Sequence, residues 1–120
     1  MVFVKRVYEP LASGDGERYL VERLWPRGIT KEALMITAWI KEAAPSTELR
    51  RWFGHEPSKW NEFRQRYFSE LDRKPEVIRP LLEAATRGNI TLLYSARDTE
   101  HNSAIALAEY LSKRLAQRSD

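Results

Sequence analysis

The chain has 120 residues, which fits one domain with a hydrophobic core that needs neither a disulfide nor a metal to hold it. Hydrophobic residues make up 42% of the sequence and charged residues 31%, a balance typical of ordinary globular proteins. The absence of cysteine excludes disulfides, thiolate catalysis and cysteine-ligated metal sites. We therefore predict a single domain over residues 1–120.

The net charge of +3 is a small surplus of 20 basic over 17 acidic residues, with no polybasic tract. The basic cluster at Arg50, Arg51, Arg64 and Arg66 is most simply a solvated helix face, so nucleic acid is not the favoured partner. The N-terminus returns to charge at Lys5, too early for a signal segment, and no apolar run is long enough to span a membrane. We expect a cytoplasmic protein that does not bind membranes.

The first third of the chain predicts strands and short turns. β-Branched residues from 2 to 7 predict one strand, and a second is predicted from Tyr19 to Trp25, where a proline follows. A helical turn is predicted over 31–34. The segment 36–43 fits either strand or helix, and we favour a strand because a proline follows it closely.

Helices are predicted for the middle of the chain. Ser46 is a candidate N-cap for a helix that ends at Gly54, and Pro57 is suited to the first position of the next helix. A third helix is predicted to begin at Pro75, with Pro80 either kinking it or marking its true start.

The last quarter of the chain predicts a buried strand and a final helix. The apolar run 89–95 suits a strand covered on both faces. Asp98 or Thr99 is the predicted cap of the final helix. Because strands and helices interleave and a long helical crossover precedes the last strand, we predict an α/β domain with a mostly parallel sheet.

Ligands of open parallel sheets bind beyond the carboxyl ends of the strands. Arg27 lies between a proline and a glycine after the second strand, where its guanidinium could clamp an anion or pair with a carboxylate such as Glu42. Arg23 is a second anion contact or half of an internal ion pair. Trp25 could form an apolar wall of the pocket. This predicts a site for an anion at the strand ends.

Two helix N-termini could contribute to the same site, because free N–H groups and the helix dipole attract anions. Ser46 begins one such helix, and Arg97 stands close to the predicted start of the other. Ser95 and Asn102 belong to the same loop as Arg97, and we predict both as further ligand contacts. The alternative is that Ser46 and the residues around position 99 only cap their helices.

The two histidines are the candidates for proton transfer. His101, predicted in the first turn of the last helix, follows Asp98 by three residues, so this carboxylate could orient the imidazole of a general acid or base. His55, next to Gly54, is the second candidate. The histidines and carboxylates show no metal-ligand spacing, so we predict neither a metal nor another cofactor.

Four ordered segments closely resemble the YeaO-like family, a bacterial group also known as domain of unknown function family 488. They are VERLWPRG (21–28), WIKEAAPS (39–46), WFGHEP (52–57) and LLYSARD with HN (92–98 and 101–102). The resemblance covers nearly the whole chain. It implies a compact Rossmann-like α/β fold and no established substrate or cofactor.

More distant members of the wider group resemble one another in a Cys-His-Arg element near the start of the last helix. This chain has Glu100-His101-Asn102-Ser103 there and lacks cysteine altogether. A thiol function of those relatives therefore does not carry over to this chain.

Three functions fit the sequence. The favoured one is the binding of a small anion, bearing phosphate or carboxylate, at the strand ends, with catalysis left open. The second is a small hydrolase or transferase that uses a histidine as general base. The third is a regulatory or partner-binding domain without catalysis.

Overall fold

The computed structural model describes residues 1–118 and contains a four-stranded sheet. The strands are β1 (Val2–Arg6), β2 (Glu17–Leu20), β3 (Ala38–Trp39) and β4 (Ile90–Tyr94). Their order in the sheet is β1-β4-β2-β3, and every neighbouring pair is parallel. The predicted α/β class is confirmed, and the sheet is parallel throughout.

Strand β4 is one of the two inner strands of the sheet. All five of its residues are buried, and it pairs with β1 on one side and β2 on the other. This arrangement confirms the expectation of a strand covered on both faces, and it separates β1 from β2 although the two are consecutive in the chain.

Five α-helices accompany the sheet within residues 1–118. They are α1 (Lys31–Leu34), α2 (Thr47–Phe53), α3 (Trp60–Asp72), α4 (Pro75–Arg87) and α5 (Ser103–Arg118). The larger hydrophobic cluster contains residues of α2, α3, α4 and α5 and of one face of the sheet. Leu92 and Leu107 are fully buried within it. The smaller cluster lies on the other face, where Leu34 of α1 packs with Leu20 and Leu93.

Several predicted boundaries in the first half of the chain are wrong. Strand β2 spans 17–20 rather than 19–25, because the chain leaves the sheet beyond Val21, whose N–H makes a last contact of 3.5 Å with the Leu93 carbonyl. The predicted strand 36–43 shrinks to two residues, since β3 pairs only with β2 and the chain then turns into a 3₁₀ turn at Lys41–Ala43.

The helix starts in the second half also differ from prediction. Pro57 opens a 3₁₀ turn, Pro57–Lys59, and α3 follows it at Trp60. Helix α4 begins at Pro75 as predicted and continues through Pro80. Helix α5 begins at Ser103, where the Asn102 side chain accepts the N–H of Ile105 at 2.9 Å. Asn102 is therefore the cap, and the prediction of Asp98 or Thr99 is wrong.

No helix within residues 1–118 is both long and apolar enough to cross a membrane.

Candidate functional site

A cleft of about 720 Å³ lies at the carboxyl ends of the strands. Since all four strands are parallel, the segments that follow them reach the same edge of the sheet. The cleft is lined by residue 6 at the end of β1 and residue 8 after it, by 22–27 beyond β2, by 44, 45, 50 and 55 around α2, and by 95–98 and 103 beyond β4. Of the predicted site residues, Arg23, Trp25, Arg27, His55, Ser95, Arg97 and Asp98 line this one cleft.

The loop after β2 forms one wall of the cleft. Trp25 is held by a hydrogen bond from its indole Nε1 to the Ile29 carbonyl at 2.6 Å and by an edge-on contact with Trp39. Arg27 is exposed, and its backbone carbonyl accepts the Tyr8 hydroxyl at 2.9 Å. The loop backbone is thus anchored at two points, which leaves the Arg27 guanidinium free to reach a ligand.

The glycine of this loop is required by the conformation of the turn. Gly28 adopts a φ of 76°, which favours glycine, but a Cβ at this position would meet nothing within 4 Å. Gly28 is therefore required by the turn and not by close packing against the rest of the described chain.

Arg23 does not form the internal ion pair that was one of its two predicted roles, and it lines the cleft. It follows β2, and its Nε donates to the Pro45 carbonyl at 3.3 Å. No carboxylate among residues 1–118 lies within ion-pair distance of Arg23 or Arg27, so the alternative pairing of Arg27 with Glu42 is wrong. The hydrogen bond from Arg23 to Pro45 connects the loop after β2 with the segment before α2.

Ser46 is not available to an external anion. Its Oγ accepts the N–H of Leu49 at 3.1 Å, as an N-cap does. Its own N–H and Oγ both donate to the Glu70 carboxylate, at 2.9 and 2.5 Å. The negative charge at this helix start is supplied by Glu70 of α3, and Ser46 does not line the cleft.

The loop after β4 brings three predicted residues to the cleft. Ser95 donates its Oγ to Oε2 of Glu22 at 3.3 Å, while Arg97 is exposed and makes no ion pair within the described chain. Asp98 accepts the backbone N–H groups of Glu100 and His101 at 2.9 and 3.0 Å. These two bonds are the main cause that lowers the pKa of Asp98.

His101 and Asp98 form the pair that their spacing predicted. Nδ1 of His101 lies 3.0 Å from Oδ2 of Asp98, and because this carboxylate is ionised, Nδ1 is the donor. The histidine lies before α5 and not in its first turn. It lines a second cleft of about 320 Å³, with its ring edge-on to Trp60. The two clefts adjoin, since both are lined by Glu22 and Arg50.

Asn102 lines the smaller cleft, but its side chain forms hydrogen bonds with backbone groups of the chain. Its side chain is 5% exposed, its Nδ2 donates to the Asp98 carbonyl, and its Oδ1 accepts the N–H of Ile105, both at 2.9 Å. These bonds fix the start of α5, and they engage both polar atoms of the Asn102 side chain.

His55 stands at the mouth of both clefts. Its φ is 57°, and it follows Gly54 with a φ of 55°, so two consecutive left-handed residues turn the chain sharply after α2. The turn carries the exposed imidazole beside the cleft, where no hydrogen bond or ion pair holds it within the described residues.

Four residues of the cleft were not among the sequence predictions for the site. They are Arg6, Tyr8, Glu22 and Arg50. Arg6 ends β1, and its guanidinium donates to the carbonyls of Ser95 and Ala96 while lying 5.0 Å from the Tyr8 ring. Arg6 and Tyr8 would have been predicted at the cleft if β1 had been known to run parallel to the other strands. The sequence did not show the direction of β1. Arg50 was assigned to a solvated basic face.

Glu22 is the unusual group of the site. Its Oε1 is buried, and no donor within residues 1–118 bonds to it. Burial raises the pKa of Glu22, against the opposing effects of the Ser95 hydrogen bonds and the Arg50 charge. A carboxylate with one unsatisfied oxygen thus lies where the two clefts meet.

The charges of the cleft are mostly positive. Five arginines line it, at positions 6, 23, 27, 50 and 97, against the two carboxylates of Glu22 and Asp98. Within the described chain, no group of three histidine, aspartate or glutamate residues is placed to hold a metal ion. The chemistry that this arrangement can perform is the attraction of an anion.

Comparison with known proteins gives the family. Residues 1–120 match the family DUF488-N3i, described as the inactive DUF488-N3 subclade. The chain is 46% identical over 107 residues to the uncharacterized protein YeaO of Escherichia coli strain K12, covering 89% of this chain and 93% of YeaO. It is 38% identical over 113 residues to an uncharacterized protein of Mycobacterium tuberculosis, covering 94% of this chain and 95% of that protein. No solved structure matches. The resemblance to YeaO is thereby confirmed, and the chain belongs to the DUF488-N3i family.

Proposed function

We propose that the larger cleft binds a small anion bearing a phosphate or carboxylate group, and that the protein senses or carries this anion without transforming it. One observation carries the proposal. Arg27, Arg50 and Arg97 come from three separate segments, line one cleft, and have no carboxylate within ion-pair distance among residues 1–118.

The arginines outside the cleft differ from these three. Arg18, Arg64 and Arg87 all pair with carboxylates. Other unpaired arginines, such as Arg73 and Arg79, lie on exposed surface outside both clefts. Guanidinium groups that converge on a concave surface are suited to planar oxyanions, because each can donate two parallel hydrogen bonds.

Two further observations favour the binding of a small anion, one over catalysis and one over the binding of nucleic acid. The description of the matched family as inactive points away from an enzyme. The basic cluster that would serve nucleic acid is also divided, since Arg64 pairs with Glu109 and Arg66 with Glu62, while Arg50 faces the cleft. A small anion therefore remains the favoured partner.

The test is a thermal-shift and calorimetric titration of the purified chain with inorganic phosphate, small phosphate esters and small carboxylates. A ligand at a hundred times its Kd should stabilise the fold by about 2.7 kcal/mol and raise the Tm by about ten degrees. Arg27→Ala and Arg97→Ala should each weaken binding about tenfold or more, because a charge-assisted hydrogen bond is lost. Arg79→Ala is the matched control and should bind like the wild type.

If the folded protein binds none of these anions, the proposal is contradicted and a macromolecular partner becomes the favoured one. Equal loss of binding in the Arg79→Ala control would show that the anion is attracted by net charge and not by the cleft.

Catalysis is a second candidate because one observation favours it. The Nδ1–Oδ2 contact of His101 with Asp98 is the orientation of a general base, with Nε2 as the free nitrogen. If a bound anion is turned over, His101→Ala should abolish turnover and leave its Kd within about twofold. Binding without turnover, unaffected by His101→Ala, selects the non-catalytic function.

A further inference from the structure

Glu22 needs an explanation that anion binding alone does not supply. A carboxylate in an anion site weakens binding by repulsion, unless the ligand offers it something in return. The main chain of Glu22 is fixed, because the indole Nε1 of Trp39 donates to the Glu22 carbonyl at 2.6 Å. The side chain is therefore held at the junction of the two clefts by the fold itself.

The two carboxylate oxygens of Glu22 are unequal. Oε2 accepts the Ser95 hydroxyl at 3.3 Å, whereas Oε1 is buried and has no donor among residues 1–118. Arg50 is near enough to act on Glu22 by its charge but forms no ion pair with it. A buried acceptor without a donor is costly and therefore needs an explanation, and a ligand that brings a donor would supply one.

Resting on the proposed function, we propose that Oε1 of Glu22 accepts a hydrogen bond from a hydroxyl group of the bound anion. The ligand class is then a hydroxylated small anion, such as a polyol phosphate or a hydroxy acid. The arginines hold its oxyanion and Glu22 holds its hydroxyl. An ammonium group is disfavoured in the same place, because five arginines surround the cleft against two carboxylates.

The experiment compares ligands of the same carbon chain and anionic group that differ only in whether they carry hydroxyl groups. Calorimetric titration of the full chain uses glycerol 3-phosphate against n-propyl phosphate, and glycerate against propanoate. The wild type should prefer the hydroxylated member of at least one pair by at least tenfold. The pair that shows this preference also distinguishes a phosphate from a carboxylate ligand.

Variants assign the preference to Glu22. Glu22→Ala should bring the ratio of the two Kd values close to one, while Arg27→Ala should weaken both ligands and keep the ratio. Glu22→Gln retains the shape of the side chain, and because a neutral acceptor is weaker than a charged one, the ratio should fall several-fold. This second variant keeps the test valid if Glu22→Ala does not fold.

Each other outcome overturns the inference. Equal binding of both members of each pair shows that the anion site exists without a hydroxyl contact, so the inference fails and the proposed function stands. If the ratio of Kd values is unchanged in both Glu22→Gln and Glu22→Ala, Glu22 does not contact the ligand's hydroxyl group. If 3-aminopropyl phosphate binds more tightly than glycerol 3-phosphate, the group that Glu22 binds is an ammonium and not a hydroxyl. Binding of none of these anions ends both proposals.

Discussion

Arg18 shows how a single charged residue can be structural although it lies in a strand. Its guanidinium is buried, with one ion pair of 2.5 Å to Asp15 and two hydrogen bonds to the Leu34 carbonyl at 3.2 and 3.0 Å. Lys5 adds a second cation to Asp15 at 3.0 Å. This cluster joins β2 to α1 and to the 3₁₀ turn before β2. Arg18 therefore supports the fold, in contrast to the unpaired arginines of the cleft.

We predict that Arg18→Ala lowers the free energy of unfolding by about 3–5 kcal/mol, because it leaves a buried carboxylate and a buried carbonyl short of donors. Arg87→Ala is the matched control, since Arg87 forms an exposed ion pair with Glu17 at 3.3 Å. Its loss should cost less than about 1 kcal/mol. Urea denaturation measures both, and similar costs for the two variants would contradict the structural role of Arg18.

At the scale of elements, caps and turns decide where the site residues stand. The stretch from 98 to 102 contains three residue types that cap helices, and local preference alone does not choose among them. The choice of Asn102 is set by the packing of α5, whose Ala104 and Leu107 are fully buried in the larger cluster. Asp98 and His101 are consequently left in the loop, where they reach the clefts.

Gly16 makes the turn into β2 and provides the element-scale prediction. Its φ is 65°, and a Cβ there would lie 1.9 Å from the Asn89 carbonyl oxygen, which also accepts the N–H of Glu17. Gly16→Ala should therefore destabilise the protein by about 3 kcal/mol, from a left-handed conformation and a backbone clash together. Gly14→Ala, where a Cβ meets nothing within 4 Å, should change stability by less than about 0.5 kcal/mol. Thermal denaturation of both variants checks this, and a tolerated Gly16→Ala would contradict the close approach.

At the scale of the whole molecule, the insertion of β4 between β1 and β2 creates the site. The chain crosses from the end of β1 to the start of β2 over residues 7–16, so both strands run in the same direction although few residues separate them. Arg6 consequently joins the arginines beyond β2 and β4. Closure of the fold also buries Glu22 among these groups, which couples its ionisation to global unfolding.

The pH dependence of stability should report this coupling. Burial raises the pKa of folded Glu22 above its ordinary value of 4.5, so the folded protein binds this proton more tightly than the unfolded chain. Stability contributed by the protonated carboxyl is therefore present at low pH and is lost as the pH rises through the folded-state pKa. Glu22→Gln removes the titration, so the stability of this variant relative to the wild type should be greater at about pH 8 than at about pH 4. Urea midpoints at the two pH values measure the difference. A relative stability that is equal at both, or greater at about pH 4, would show that the carboxyl keeps an ordinary or lowered pKa.

The sequence by itself determined the α/β class, a buried strand within 89–95, the cap at Ser46 and the pairing of His101 with Asp98, because each depends on residue types a few positions apart. It also placed Arg23, Arg27 and Arg97 at strand ends, which the parallel sheet then brought to one cleft. Only the tertiary structure decided that Glu70 occupies the Ser46 helix end, that Asn102 caps α5, and that Arg6 and Glu22 belong to the site. These contacts join residues far apart in the chain, and their geometry follows from strand order and helix packing, which local sequence patterns do not encode.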